Sequence, residues 1–122
     1  MQSRKDLIRE YKERQKPAGV FQIKNTKTGK FLLASSLNIE GSLNKHKFML
    51  KTGGHINKAL QADWNRDGAE NFVFEILEEV KVQDEAGFKI EDELGLLEEI
   101  WIEELKPFDG ENYNYQKKIR EA

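Results

Sequence analysis

Two side chains in this 122-residue sequence occupy positions that helical periodicity reserves for apolar residues. At about 100° per residue, Ile39, Leu43, His46 and Leu50 fall within an arc of about 60°, which puts His46 on the inward stripe of a helix predicted from Asn38 to about Lys51. A second helix, predicted from about Glu91 to Leu105, carries the stripe Leu94, Leu97, Trp101 and Leu105. Glu98 projects about 40° from Leu94 and about 20° from Leu105 on that wheel. An ionised carboxylate on a buried stripe is costly unless it is paired. Glu98 therefore needs a partner such as a nearby base or hydroxyl. His46 is either a hydrogen-bonded core histidine or a proton-transfer group, since imidazole titrates near neutral pH. His55, the other histidine, either caps the helix that follows it or joins the same site. Cysteine is absent, which excludes disulfides and thiolate metal sites.

These side chains need elements to hold them. Ser3 with Asp6 reads as a capping box opening a helix over 3–16, with a thin stripe of Leu7, Ile8, Tyr11 and Gln15. Pro17 ends it. Val20–Ile23 and Phe31–Ala34 read as strands of a hairpin, joined through Asn25 to Lys30. After the helix bearing His46, Gly53-Gly54 breaks the chain. A further helix follows over about Ile56–Asp67, with Ile56, Ala59, Leu60 and Trp64 as apolar contacts and Gly68 as its stop. Phe72 to Leu77 reads as a third strand, 78–89 as a charged loop, and Pro107 follows the helix bearing Glu98. The order α-β-β-α-α-β-α predicts an α+β fold: a small three-stranded, mainly antiparallel sheet flanked by helices. Residues 1–18 form a basic helix or arm, 19–115 the domain, and 116–122 a mobile tail.

Charge is unevenly distributed. Residues 1–60 carry 13 Lys or Arg against 4 Asp or Glu, net +9, and residues 61–122 carry 7 against 18, net −11. Either the halves attract each other within one fold, or the first half offers a basic face to nucleic acid. Lys24, Lys27, Lys30, Lys45, Lys47, Lys51 and Lys58 would form that face. No apolar run is long enough to span a membrane. Met1–Lys16 lacks the apolar core of a secretory signal, so a cytoplasmic address is the expectation.

Several stretches, in order, resemble the GIY-YIG nuclease family. Gly19-Val20-Phe21-Gln22-Ile23-Lys24-Asn25 is similar to the GIY strand and its turn, and Gly29-Lys30-Phe31-Leu32-Leu33-Ala34-Ser35-Ser36 to the YIG strand. Asn38 and His46 sit at the family's Asn and helix His. Gly54-His55-Ile56-Asn57, Leu60-Gln61, Trp64-Asn65, Gly68 and Phe72–Glu78 match the middle of the pattern. Glu98 with Trp101-Ile102 and Lys106-Pro107 resembles the metal-binding helix, and Asn112-Tyr113-Asn114 the closing segment. The resemblance implies cleavage of a DNA phosphodiester with one divalent metal such as Mg held by Glu98, assisted by His46, His55 and Asn114.

The sequence departs from the family at four functional positions. Phe21 stands at the first motif tyrosine, Leu32 at the second, Ala34 at the YIG glycine, and Ser42 at the helix arginine. Lys45, about 60° from Ser42 around the helix, either replaces that charge in part or is a solvated lysine. The expected function is therefore a nuclease-like domain with little or no cleavage and a residual role in binding DNA weakly and non-specifically, or a protein partner of unknown kind. Lys24, Lys27, Lys45 and Lys47 are the candidate DNA contacts. The alternatives are an active metal-dependent endonuclease with a rearranged site, and a structural protein that kept only the fold.

Overall fold

The computed structural model describes residues 3–6 and 16–121. The expected capping box is present: the Asp6 N–H donates to Ser3 Oγ at 3.2 Å and the Ser3 N–H to Asp6 Oδ2 at 3.4 Å. The stripe Leu7, Ile8, Tyr11 and Gln15 lies outside the described residues. The domain consists of β1 (Gly19–Asn25), β2 (Phe31–Ser36), α1 (Ile39–Thr52), α2 (Lys58–Asp67), β3 (Phe72–Glu79) and α3 (Ile90–Leu105). A short 3-10 turn, Ala69–Asn71, leads into β3.

The sheet has the order β2-β1-β3, with both pairings antiparallel. β1 and β2 form the predicted hairpin because Asn25 turns the chain. Its Oδ1 accepts the Lys27 N–H, its carbonyl accepts the Gly29 N–H, and Gly29 takes the left-handed φ of 83° that glycine adopts without strain. Gly19 is required for a different reason. A Cβ there would lie 2.2 Å from the Glu78 carbonyl oxygen across the β1–β3 pair and 2.8 Å from Ile39 Cδ1.

Side chains alternate across the pleat, and helices cover both faces. One face, with α1 and α2, builds a core of Phe21, Ile23, Ala34, Ile39, Leu50, Leu60, Phe72 and Tyr113. The other, with α3, builds one of Val20, Leu33, Leu94, Leu97 and Ile119. β3 is an edge strand, which leaves Val73 and Ile76 exposed. Asn38 caps α1 as expected, its Oδ1 accepting the Gly41 N–H. α2 begins later than predicted. Asn57 caps it by accepting the Leu60 N–H, so His55 is not the cap and Ile56, outside the helix, is 72% exposed.

The free edge of β2 is covered by the end of the chain. Phe31 donates its N–H to Asn112 Oδ1 and accepts the Tyr113 N–H. Leu33 donates its N–H to Asn114 Oδ1 at 2.9 Å and accepts from Asn114 Nδ2 at 2.8 Å. Ser35 donates to the Ile119 carbonyl and accepts the Glu121 N–H, both at 2.8 Å. The segment expected to be a mobile tail thus meets β2 in a parallel bridge at Ser35–Arg120, with Ile119 buried beneath α3 and β2. Its placement rests on the buried Ile119 and two backbone hydrogen bonds to Ser35, together with side-chain contacts of Arg120 and Glu121.

Candidate functional site

α1 and the turn before α2 bring the two histidines together. His46 is buried on α1, edge-on to Phe21, with ring centroids 5.8 Å apart. His55 is placed by Gln61, whose Oε1 accepts the His55 N–H while its Nε2 donates to the Leu50 carbonyl. The rings meet edge to edge and nearly coplanar, centroids 4.9 Å apart, with His46 Nδ1 and His55 Nε2 2.7 Å apart. The surrounding hydrogen bonds assign the tautomers. The Asn57 N–H donates to His55 Nδ1 at 3.0 Å, so the neutral His55 ring carries its proton on Nε2 and donates to His46 Nδ1. His46 must then carry its own proton on Nε2, which donates to the Glu121 carboxylate at 2.9 Å from either oxygen. The result is a directed chain from His55 through His46 to Glu121. Burial, followed by the neighbouring His46, lowers the pKa of His55 to about 4.

Glu98 projects from α3 toward β2, as its place on the wheel implied, and it is paired. The Ser35 hydroxyl donates to Oε2 at 2.5 Å. Arg120 donates from Nε to Oε2 at 2.8 Å and from Nη2 to Oε1 at 3.1 Å, a two-pronged pairing that suits planar guanidinium and carboxylate groups. The carboxylate raises the Arg120 pKa above its ordinary value.

Beside the histidines lies a cleft of about 300 Å³, lined by Leu32, Ala34, Lys45, His46, His55, Asn114 and residues of the final segment, including Lys118, Arg120 and Glu121. Three of the four matched family positions, His46, His55 and Asn114, therefore share one cleft. Glu98 is not part of its lining and is joined to it through Arg120. The side-chain amide of Asn114 accepts the Leu33 N–H and donates to the Leu33 carbonyl. Of the four departures, Phe21 is sealed in the core, Leu32 and Ala34 face the cleft, and the Ser42 hydroxyl donates to Ser36 Oγ at 2.7 Å within the turn that starts α1.

Two solved structures are similar to this chain. One is a mutant of the catalytic domain of the intron endonuclease I-TevI, 28% identical over 84% of this chain and 98% of that one, with a TM-score of 0.57. The other is the catalytic domain of the homing endonuclease I-TevI, also 28% identical, covering 86% and 98%, with a TM-score of 0.52. The chain has a GIY-YIG nuclease fold. At the level of sequence, no family description and no curated protein matches it.

In this GIY-YIG-like domain a metal would have to share Glu98 with a guanidinium. Among the described residues no three His, Cys, Asp or Glu side chains gather to hold an ion. Glu98 already accepts from Arg120 on both oxygens, and its closest further polar partner is the Ser35 hydroxyl. A divalent cation, which can be held by as little as one or two carboxylates with water, would have to displace Arg120 from Glu98, so the site as built does not fit one.

The lysines expected to meet DNA are dispersed. Lys24 is exposed. Lys27 lies 3.8 Å from Asp67, and Lys47 sits 5.1 Å from the centre of the Phe74 ring. Lys45 and Lys118 both line the cleft.

Sequence reasoning missed Ser35, Arg120 and Glu121, whose partners are distant in the chain. It also missed a buried polar cluster that positions the closing segment. In it Asn25 Nδ2 donates to Asp67 at 2.8 Å and to the Tyr113 hydroxyl at 3.2 Å. That hydroxyl donates to Asp63 at 2.7 Å, and Asn57 Nδ2 donates to the Tyr113 carbonyl at 2.7 Å. Arg66 pairs with both Asp63 and Asp67, and its hydrogen bond holds Asp67 well below the usual carboxylate range.

Proposed function

We propose that this GIY-YIG-like domain has lost phosphodiester cleavage and retains a weak, sequence-insensitive grip on nucleic acid at the mouth of the cleft. One observation carries the reading. The positions at which the family places two phenols and a guanidinium hold Phe21, Leu32 and Ser42, and none presents a free polar group to the cleft. A positioned acid or base contributes roughly 10²- to 10⁴-fold to a rate, and one donor aimed at transition-state charge roughly 10²- to 10³-fold. These factors do not simply multiply, but losing three such groups leaves little above background.

Supporting the binding half are Lys45 and Lys118, exposed side chains that border the cleft without carboxylate partners among the described ion pairs. A second reading, an active nuclease with a rearranged site, draws on the His55–His46–Glu121 chain, which provides a buried path for a proton. Incubation of the chain with supercoiled plasmid and with branched DNA, in Mg²⁺ and in Mn²⁺, separates the two. The expected outcome is no product above background. Cleavage that disappears in Glu98→Ala or His46→Ala would overturn the proposal in favour of the second reading.

A further inference from the structure

The segment that closes β2 supplies a positive charge to Glu98, the carboxylate at the family's metal position. Arg120 reaches across α3 along a single face: Nη2 donates to the Glu91 carbonyl at 3.1 Å, passes 3.7 Å from where a Gly95 Cβ would stand, and ends on Glu98. Glu91, Gly95 and Glu98 are four and three residues apart, which aligns them on one side of a helix. A Cβ at Gly95 would make only ordinary contact with the guanidinium, so the pairing does not depend on the glycine. Backbone hydrogen bonds between Ser35 and both Ile119 and Glu121 fix Arg120 from either side. The Ser35 side chain then donates to the same Glu98 oxygen that accepts Arg120 Nε. The next residue, Glu121, accepts from His46.

We propose that Arg120 is a resident cation of the site, a built-in substitute for a divalent ion, and that residues 119–121 form a strap closing Glu98 to metal. The strap also fixes Glu121 on His46, so two successive side chains complete two halves of the site. Only the family position of Glu98 rests on the GIY-YIG reading. Metal binding and DNA cleavage are separate readouts, so failure of one is distinguishable from failure of the other.

The test titrates MnCl₂ alone into the full chain, followed by electron paramagnetic resonance, with circular dichroism as the control for folding. The wild-type chain and Glu98→Gln should bind Mn²⁺ indistinguishably, because Glu98 is already neutralised. Arg120→Met, which keeps the aliphatic stem, should bind at least about tenfold more tightly, since a positive charge in contact with the carboxylate has been removed. That gain should vanish in Arg120→Met combined with Glu98→Gln. Mn²⁺ binding by the wild-type chain that Glu98→Gln weakens would overturn the proposal, as would a folded Arg120→Met that gains nothing. Should Arg120→Met not fold, NMR of the wild-type chain decides instead. A slowly exchanging Arg120 Nε–H signal that is lost in Glu98→Gln and unmoved by millimolar Mn²⁺ supports the strap, and one that Mn²⁺ displaces overturns it.

Discussion

A neutral imidazole in a buried chain makes stability depend on acidity. The pKa of His55 is lowered from 6.5 to about 4, first by burial and then by His46. Between those values the unfolded chain binds a proton at this ring and the folded chain does not. Stability is therefore fully present above the unfolded value and falls as the pH drops toward 4. The contribution is roughly 1–2 kcal/mol once solvent screening is allowed for. Urea unfolding at about pH 7 and about pH 5 measures it, and His55→Gln should flatten the difference. A variant that keeps the full slope would assign it to another group. Tyr113 makes a second residue-scale prediction. Burial raises its phenol to about 12, and its hydroxyl links Asn25 to Asp63. Tyr113→Phe should cost roughly 1–2 kcal/mol, because the two partners keep only Asp67 and Arg66 in its place. The same variant should lack the late step in an ultraviolet titration of the phenols.

Elements held by local rules were readable, and the ones closed by distant partners were not. The stripe that placed His46 and Glu98 inward depends on neighbours three and four residues away, and both side chains are found where the wheel put them. The hairpin could be read because Asn25 and Gly29 act within their own turn. Glu98 was known to need a partner, but nothing in the sequence pointed to Arg120 or Ser35. The contact of Asn114 with Leu33 spans 81 residues, and no periodicity encodes it. Ile56 was misplaced because Asn57 is a stronger cap than the residues before it, and the helix began beyond it. The Asn114 contact has a measurable consequence. Its amide substitutes for a neighbouring strand at both backbone groups of the buried Leu33. Asn114→Ala should destabilise the domain by roughly 2 kcal/mol and accelerate hydrogen exchange at the Leu33 amide. Unchanged stability would mean that Asn114 serves only the cleft.

For the molecule as a whole, the opposed charges of the two halves are partly spent on each other. Lys27 faces Asp67 at 3.8 Å, and Arg4 pairs with Asp84 at 2.6 Å. The net of +9 on the first 60 residues therefore overstates what nucleic acid would meet. Lys47 is drawn over Phe74, leaving Lys45 and Lys118 as the pair that borders the cleft. Lysine contacts to phosphate carry no base information, so duplexes of different sequence should bind alike. Each phosphate neutralised contributes a slope of about −0.9 to the dependence of log K on log salt. Two lysines predict a slope of about −2 and a dissociation constant no tighter than micromolar at low salt. Glu70, Glu75 and the other acids of the second half oppose closer approach. Fluorescence anisotropy with a labelled duplex, over a series of salt concentrations, measures both quantities. Combining Lys45→Glu with Lys118→Glu should abolish the signal while leaving the far-ultraviolet circular dichroism unchanged. Binding that ignores this double reversal would place nucleic acid on another surface, and no binding by the wild-type chain would favour a protein partner or a role for the fold alone.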